Sequence, residues 1–253
     1  MIHCENVSDV YSNGKMSLWL LSAFKAGFIN SAGFLITGKF VSHVTGFGTQ
    51  IGMALGHSHI FFGAELLIIP CSFIMGGIIT SFILENPKHK NEIPPYHFVQ
   101  GLITFLIAII LVAGEAGIIS DKIHFNNDKG YDFIGLSLIS LLCLISGLKN
   151  SLVTWTTHGK IRVTHLTGIS TDIGLNLINM FYPKRKTART KEKKRINAHR
   201  IATLVAFSIG AFISAIIFPR IGHKAFYIVF IISLFITILS FSSNREKRKM
   251  ISL

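Results

Sequence analysis

Residues 42–52 read SHVTGFGTQIG, and residues 164–174 read THLTGISTDIG, so the chain carries nearly the same polar phrase twice. Five polar or glycine residues of the phrase recur 122 positions apart. They are His43, Thr45, Gly46, Thr49 and Gly52 in the first copy, and His165, Thr167, Gly168, Thr171 and Gly174 in the second. Upstream, GFINS at 27–31 matches GLKNS at 147–151, at a spacing of 120. Internal similarity of this kind indicates two structural repeats.

Both phrases lie between long apolar segments. The chain is 50% hydrophobic and 15% charged, whereas a soluble domain carries about 25% charged residues. Because a transmembrane helix needs about 20 mostly apolar residues, the sequence predicts six spans, at about 16–37, 59–84, 97–118, 133–157, 199–218 and 224–243. The runs are continuous, as in IVFIISLFITILSF at 228–241, which favours helices over the alternating strands of a barrel. We therefore expect an all-α membrane protein, with 1–253 forming one integral membrane domain.

The positive residues predict an orientation. If the chain starts in the cytoplasm and crosses six times, 18 of its 25 Lys and Arg residues lie on the cytoplasmic side and 5 on the other, with Lys25 and Lys149 inside helices. The positive-inside rule then places both termini of this multi-pass protein in the cytoplasm. The run KRKTARTKEKKR, in a basic cytoplasmic loop at about 183–200, has no interleaved aromatic residues. We expect it to contact anionic lipid headgroups and no nucleic acid; homo-oligomerisation is left open.

Each repeat has a Gly-x-x-Asn-Ser helix, a His-x-Thr-Gly segment and two further helices, at about 16–118 and about 133–243. Three crossings are an odd number, so the second repeat enters the membrane from the opposite side. This predicts two inverted three-helix repeats, related by a pseudo-two-fold axis in the membrane plane, as in many transporters. Each His-x-Thr-Gly segment is expected to be broken or re-entrant, with a break at Thr-Gly followed by a short helix.

Polar residues of both repeats are expected to meet near the central plane and to contact a solute there. The candidate binding residues are Asn30, Ser31, His43, Thr45, Gly46, Thr49, Lys149, Asn150, Ser151, His165, Thr167, Gly168, Thr171 and Asp172. Lys149 lies deep in its helix, with Asp172 as the expected partner, whereas Lys25 is close enough to a helix start to snorkel. The same small and polar residues would also serve helix packing alone, so both interpretations stand at this point.

Several kinds of chemistry find no support in the sequence. It has no Gly-x-Ser-x-Gly, His-Glu-x-x-His or phosphate-loop motif, so we expect no enzyme. His43 and His165 have no nearby carboxylate or thiol set, and the three cysteines form no CxxC pair, so neither a metal nor another cofactor is expected. The leading hypothesis is a permease or channel for a small polar or anionic solute. The alternative is a membrane scaffold or assembly protein that transports nothing.

The segment FVSHVTGFGTQIGMAL at 40–55, together with SGLKNS at 146–151 and the second His-x-Thr-Gly copy, resembles the YoaK-like family of bacterial inner-membrane proteins. The resemblance spans nearly the whole chain. It implies a multi-helix membrane protein without an established biochemical function, so it supplies no substrate. Members of the family usually have Asn after the first Thr-Gly, where this chain has Phe47, and often lack the second His, here His165.

Overall fold

A computed structural model describes residues 13–57, 59–85, 94–119, 132–159, 161, 163–181 and 188–251. These residues form eight α-helices and one 3-10 turn, and no strand occurs among them. The helices are α1 (Asn13–Thr37), α2 (Val44–Gly56), α3 (Ile60–Leu84), α4 (Tyr96–Glu115), α5 (Phe133–Thr156), α6 (Leu166–Phe181), α7 (Ala188–Ile221) and α8 (Phe226–Ile251). The all-α prediction is confirmed.

Within the described ranges, five helical segments are long and apolar enough to cross a membrane, where the sequence predicted six. They are Lys15–Thr37, Phe62–Leu84, Tyr96–Glu115, Phe133–Thr156 and Lys194–Ser242. The predicted fifth and sixth spans both fall in the last segment, of 49 residues. The 3-10 turn Gly222–Ala225 divides it into α7 and α8, and both of these helices pack on α1. The segment is continuous because its turn is itself helical, so no polar loop separates the two parts.

The basic loop expected at about 183–200 is helical from Ala188 onward, where α7 begins. Residues 182–187 lie outside the described residues, and so do the side chains of 188–193. Lys, Arg, Glu and Ala are good helix formers, so the charged run extends the apolar helix that follows it.

The breaks in the chain precede the Thr-Gly pairs. Val44 starts α2 and Leu166 starts α6, so each Thr-Gly pair lies in the first turn of a short helix, and the expected break at Thr-Gly is wrong. Gly38 and Gly159 adopt φ of +69° and +74°, a region that glycine enters without steric cost. The chain therefore folds back after these glycines, and Ser42 and Thr164, just before the two histidines, reach Asn30 and Asn150.

The most extensive helix contacts join α1 to α7 and α3 to α5. Both contacts depend on glycine: a Cβ on Gly27 would overlap the carbonyl oxygen of Phe207, and one on Gly147 would overlap that of Phe73. Gly147 follows Gly27 by 120 residues, and Phe207 follows Phe73 by 134. The reciprocal contacts obey the same offsets, with Gly210 against Phe24 and Gly76 against Leu144. Each first helix therefore packs on the second long helix of the other half of the chain.

Contacts also give the relative directions of α1 and α5. Lys149 Nζ donates to the Ser22 carbonyl oxygen at 3.1 Å, while Gly33 faces Leu142. From the first contact to the second, the residue number rises along α1 and falls along α5, so these two helices are antiparallel.

The last long helices of the two halves, α4 and α8, are antiparallel too. The rings of His97 and Phe241 lie 4.5 Å apart, and Tyr227 Oη donates to Glu115 Oε1 at 3.4 Å at the other end of the pair.

Candidate functional site

Two asparagines hold the turns that lead to the short helices. Asn30 Oδ1 accepts from the backbone N–H and the hydroxyl of Ser42, at 3.1 and 2.9 Å. Asn150 Oδ1 accepts from the Thr164 hydroxyl at 3.0 Å. Ser42 and Thr164 are the residues directly before His43 and His165. In both copies the Asn of the Gly-x-x-Asn-Ser motif therefore fixes the residue that presents the His.

His165 is bonded to its own asparagine. The Asn150 side-chain amide donates to His165 Nε2 at 3.1 Å. Because an amide N–H can only donate, His165 Nε2 is the acceptor in this contact. His43 instead lies edge-on to Phe40, with ring centroids 6.3 Å apart. The two histidines thus have different surroundings, although both side chains are exposed at the protein surface.

The hydroxyls of the motif are used locally. Thr49 donates to the Thr45 carbonyl at 3.4 Å, and Thr171 donates to the Thr167 carbonyl at 3.1 Å. All four threonines are exposed. Both hydroxyls are therefore bonded within their own helices, α2 and α6.

A cavity of about 460 Å³ lies between α6 and α7 beside the second motif. His165, Gly168 and Asp172 line one wall, and His199, Arg200 and Thr203 line the other. No heavy atom lies within 4 Å of a Cβ placed on Gly168, so this glycine keeps the wall open. Within the described part of the chain, no three His, Cys, Asp or Glu side chains are grouped to hold a metal ion.

A second cavity, of about 420 Å³, lies on the other side of His165. Asn150 and Ser151 line it together with Gly77 and Thr80 of α3. Ser151 faces Gly77, where a Cβ would lie 3.1 Å from the serine hydroxyl. His165 therefore lines two cavities, one shared with α7 and one with α3. The matching serine of the first half, Ser31, is half-buried in α1.

Asp172 pairs with a residue that the sequence analysis did not single out. Arg200 Nη2 lies 2.6 Å from Asp172 Oδ2, and 24% and 48% of the two side chains are exposed. The expected pair of Asp172 with Lys149 is wrong, because the ammonium of Lys149 bonds to Ser22 on α1. Sequence spacing could not reveal this, since Arg200 approaches α6 from α7.

Both helix lysines are buried. Lys25 has no exposed surface and donates to the Ser233 hydroxyl on α8 at 3.1 Å; Lys149 is 3% exposed. The expectation that Lys25 snorkels to the interface is therefore wrong. Two cations from α1 and α5 instead point between the helices.

The two polar sets do not close into one ring. The contacts of α2 are mainly with α3, and those of α6 are mainly with α7. Ser22 faces Lys149 and Gly33 faces Leu142, so Asn30 and Asn150 are offset by about six residues along their antiparallel helices. At 1.5 Å per residue this is an axial distance of about 9 Å. The candidate residues therefore form two half-sites, displaced toward opposite ends of the molecule.

The first half-site differs in its charged residues. Lys39 Nζ donates to Gln50 Oε1 at 2.6 Å, and both residues line a cavity of about 310 Å³ near His57. Burial lowers the pKa of Lys39 below its usual 10.5. Gln50 stands where the second copy has Asp172, and Phe47, which replaces the family's Asn, is buried. The first half-site therefore has no counterpart of the Asp172–Arg200 ion pair among the described residues.

Two threonines at the ends of the motif helices were not among the candidate residues predicted from the sequence. Thr37 Oγ1 donates to the Gly33 carbonyl at 2.8 Å and accepts from Lys39 N. Thr157 Oγ1 makes the same pair of bonds with the Val153 carbonyl and Ile161 N. Both threonines end the motif helix and are wholly buried. A signal was available, because Thr37 and Thr157 keep the same 120-residue spacing as the Asn-Ser motif.

Comparisons with known proteins identify a family and no function. The family model described as "Protein of unknown function (DUF1275)" matches residues 18–239. No curated protein and no solved structure matches the chain. The match is compatible with the resemblance to the YoaK-like family. Because the family model covers both half-sites and nearly the whole length, the chain belongs to the DUF1275 family of proteins of unknown function.

Proposed function

We propose that this protein is a membrane permease or channel for a small polar or anionic solute, built as two inverted three-helix repeats. The observation that carries the proposal is that the glycine contacts recur at matching positions while α1 and α5 run antiparallel. In this proposal the chain crosses a bacterial inner membrane six times, with both termini in the cytoplasm. The basic start of α7 would contact anionic headgroups there.

Helix direction favours inversion. A two-fold axis in the membrane plane reverses the direction of every matched helix, whereas an axis along the membrane normal preserves it. The matched pairs α1 with α5 and α4 with α8 are both antiparallel. Inverted repeats of this kind commonly place their binding site at the repeat interface.

The positions of the half-sites suit a path through the protein. The Lys39 cavity lies just after the C-terminal end of α1, and the His165 cavities lie just after that of α5. Because α1 and α5 are antiparallel, these ends face opposite sides. A solute that crosses the membrane would meet one half-site on entry and the other on exit.

Flux into proteoliposomes that contain only this protein is the direct test. Candidate small anions and neutral polar solutes should be offered separately, and at least one should enter faster than in empty liposomes. Asn150→Ala and His165→Ala should reduce that flux at least tenfold in correctly folded protein. Asn176→Ala is the matched control, because its amide donates to the Asp172 carbonyl within α6.

The scaffold alternative is favoured by one observation, the close glycine contacts, which packing alone would require. It predicts no flux of any solute. It also predicts that Asn150→Ala lowers thermal stability without any functional change in the folded fraction. Absence of flux across the whole solute panel would therefore reject the permease and leave the scaffold.

A further inference from the structure

The two buried lysines belong to one polar group inside the helix bundle. Lys149 reaches the Ser22 carbonyl, and Lys25 stands one turn further along α1 than Ser22, on the same helix face. Lys25 in turn reaches the Ser233 hydroxyl on α8. The two ammonium groups therefore lie on neighbouring turns of the same interior region.

Ser233 connects this region to α4. Its hydroxyl accepts from the Gln100 side-chain amide at 3.1 Å and lies 2.9 Å from the Thr104 hydroxyl. Thr104 lies 2.8 Å from Thr237. We call this group of residues the lysine cluster: Ser22, Lys25, Gln100, Thr104, Lys149, Ser233 and Thr237. Every member is at least nine-tenths buried.

The cluster combines two lysine side chains with no carboxylate, so it has more N–H donors than acceptors. Among the described residues neither lysine forms a salt bridge, whereas Asp172 pairs with Arg200. An ammonium group has three N–H donors, and each lysine uses one, toward Ser233 or Ser22. Burying a cation without a counter-charge is costly, inside a membrane above all. What would balance this cluster is a small negative group with several acceptor positions.

We propose that the lysine cluster is a binding site for a small inorganic anion, of the size of a halide or nitrate. The remaining N–H groups of Lys25 and Lys149 would donate to it. Each lysine already contacts a neighbouring helix, so the site would take an anion of only a few atoms and no large organic acid. The proposal rests on the proposed permease function and names its substrate class.

The position of the cluster agrees with this role. Lys149 directly precedes Asn150, and Lys25 precedes Asn30 by five residues. The cluster therefore lies between the two half-sites along the axis. An anion that passes one half-site would reach the lysines before it reaches the other.

Tryptophan fluorescence can report on the cluster. The chain has two tryptophans. Trp19 is 3% exposed and precedes Ser22 by one turn of α1, whereas Trp155 is near Glu85 at a helix end. In purified Trp155→Phe protein Trp19 is the sole reporter. Bromide, a heavy-atom quencher, should reduce its emission along a saturable curve, because buried Trp19 is shielded from collisions. Nitrate and chloride should compete with bromide, and gluconate at equal ionic strength should not.

Lys149→Met in the same background should weaken bromide binding, so that the half-saturating bromide concentration rises at least tenfold. The matched control is Lys224→Met, which removes one positive charge from the exposed turn after α7 and should leave the curve unchanged. Linear or absent quenching in the Trp155→Phe protein would overturn the proposal without need of any lysine variant. Saturation that persists in Lys149→Met and Lys25→Met would overturn it as well.

The anion site and the permease can fail separately. If quenching is not saturable but a neutral polar solute crosses proteoliposomes, the anion site is rejected and the permease stands. If bromide binds with the expected competition but no solute of the panel crosses, the permease is rejected and the cluster is a structural anion site.

Discussion

Replacing Gly147 with alanine tests whether the glycine contacts determine the helix arrangement. The added methyl group would overlap the Phe73 carbonyl oxygen, a backbone atom that cannot rotate away. Overpacking of this kind costs about 1–3 kcal/mol, and the fixed backbone favours the upper half of that range. Alanine regains about 1 kcal/mol through its better helix propensity. We therefore expect Gly147→Ala to lower the free energy of unfolding by about 1–2 kcal/mol.

Gly52 provides the matched control in the same chain. It also lies inside a helix, but no heavy atom is within 4 Å of a Cβ placed there. Gly52→Ala should therefore stabilise the protein by about 0.5–1 kcal/mol. Reversible unfolding of both variants in the same detergent gives the comparison. Equal effects at Gly147 and Gly52, or an unchanged Gly147→Ala protein, would refute the close approach of α3 and α5.

Three further predictions address the turns, the charge and the topology. Asn150→Ala should reduce the free energy of unfolding by about 1–3 kcal/mol, because it removes the partner of two neighbouring side chains; a loss below that of Asn176→Ala would contradict this. Burial lowers the pKa of Lys39, so between that pKa and 10.5 the unfolded chain binds more protons than the folded one. Stability should therefore rise with pH across this window and flatten in Lys39→Met, as measured by thermal unfolding. Reporters fused to both termini and near Lys191 should lie in the cytoplasm, and one near Lys122 should lie outside; an external C-terminus would exclude the six-crossing topology.

The sequence predicted the positions of the helices well, because a run of about 20 apolar residues is a local property. It also singled out Asn30 and Asn150, because the Gly-x-x-Asn-Ser motif recurs after 120 residues. The partners of the charged groups could not be predicted. Lys149 bonds to α1 and Asp172 to α7, and which helices become neighbours depends on packing that no local pattern encodes.

The starts of the short helices were misjudged for a different reason. Thr-Gly was interpreted as a break, yet a helix accepts both residues in its first turn, where four N–H groups need no partner from within the helix. The reversal occurs at Gly38 and Gly159, which adopt positive φ. A glycine that bends the chain and a glycine that leaves space beside it look the same in a sequence.

The exchange of helices between the two halves has a consequence for synthesis. Gly27 meets Phe207, which the ribosome adds 180 residues later. At about 5–20 residues per second this delay is roughly 10–35 s. Throughout that time the glycine face of α1 contacts lipid or the insertion machinery in place of α7. The face of α3 that packs on α5 also lacks its partner until α5 has been made. The first half can therefore insert into the bilayer, but its helices cannot complete their packing until the second half has been made. A chain truncated before α7 should be a ready target for membrane proteases.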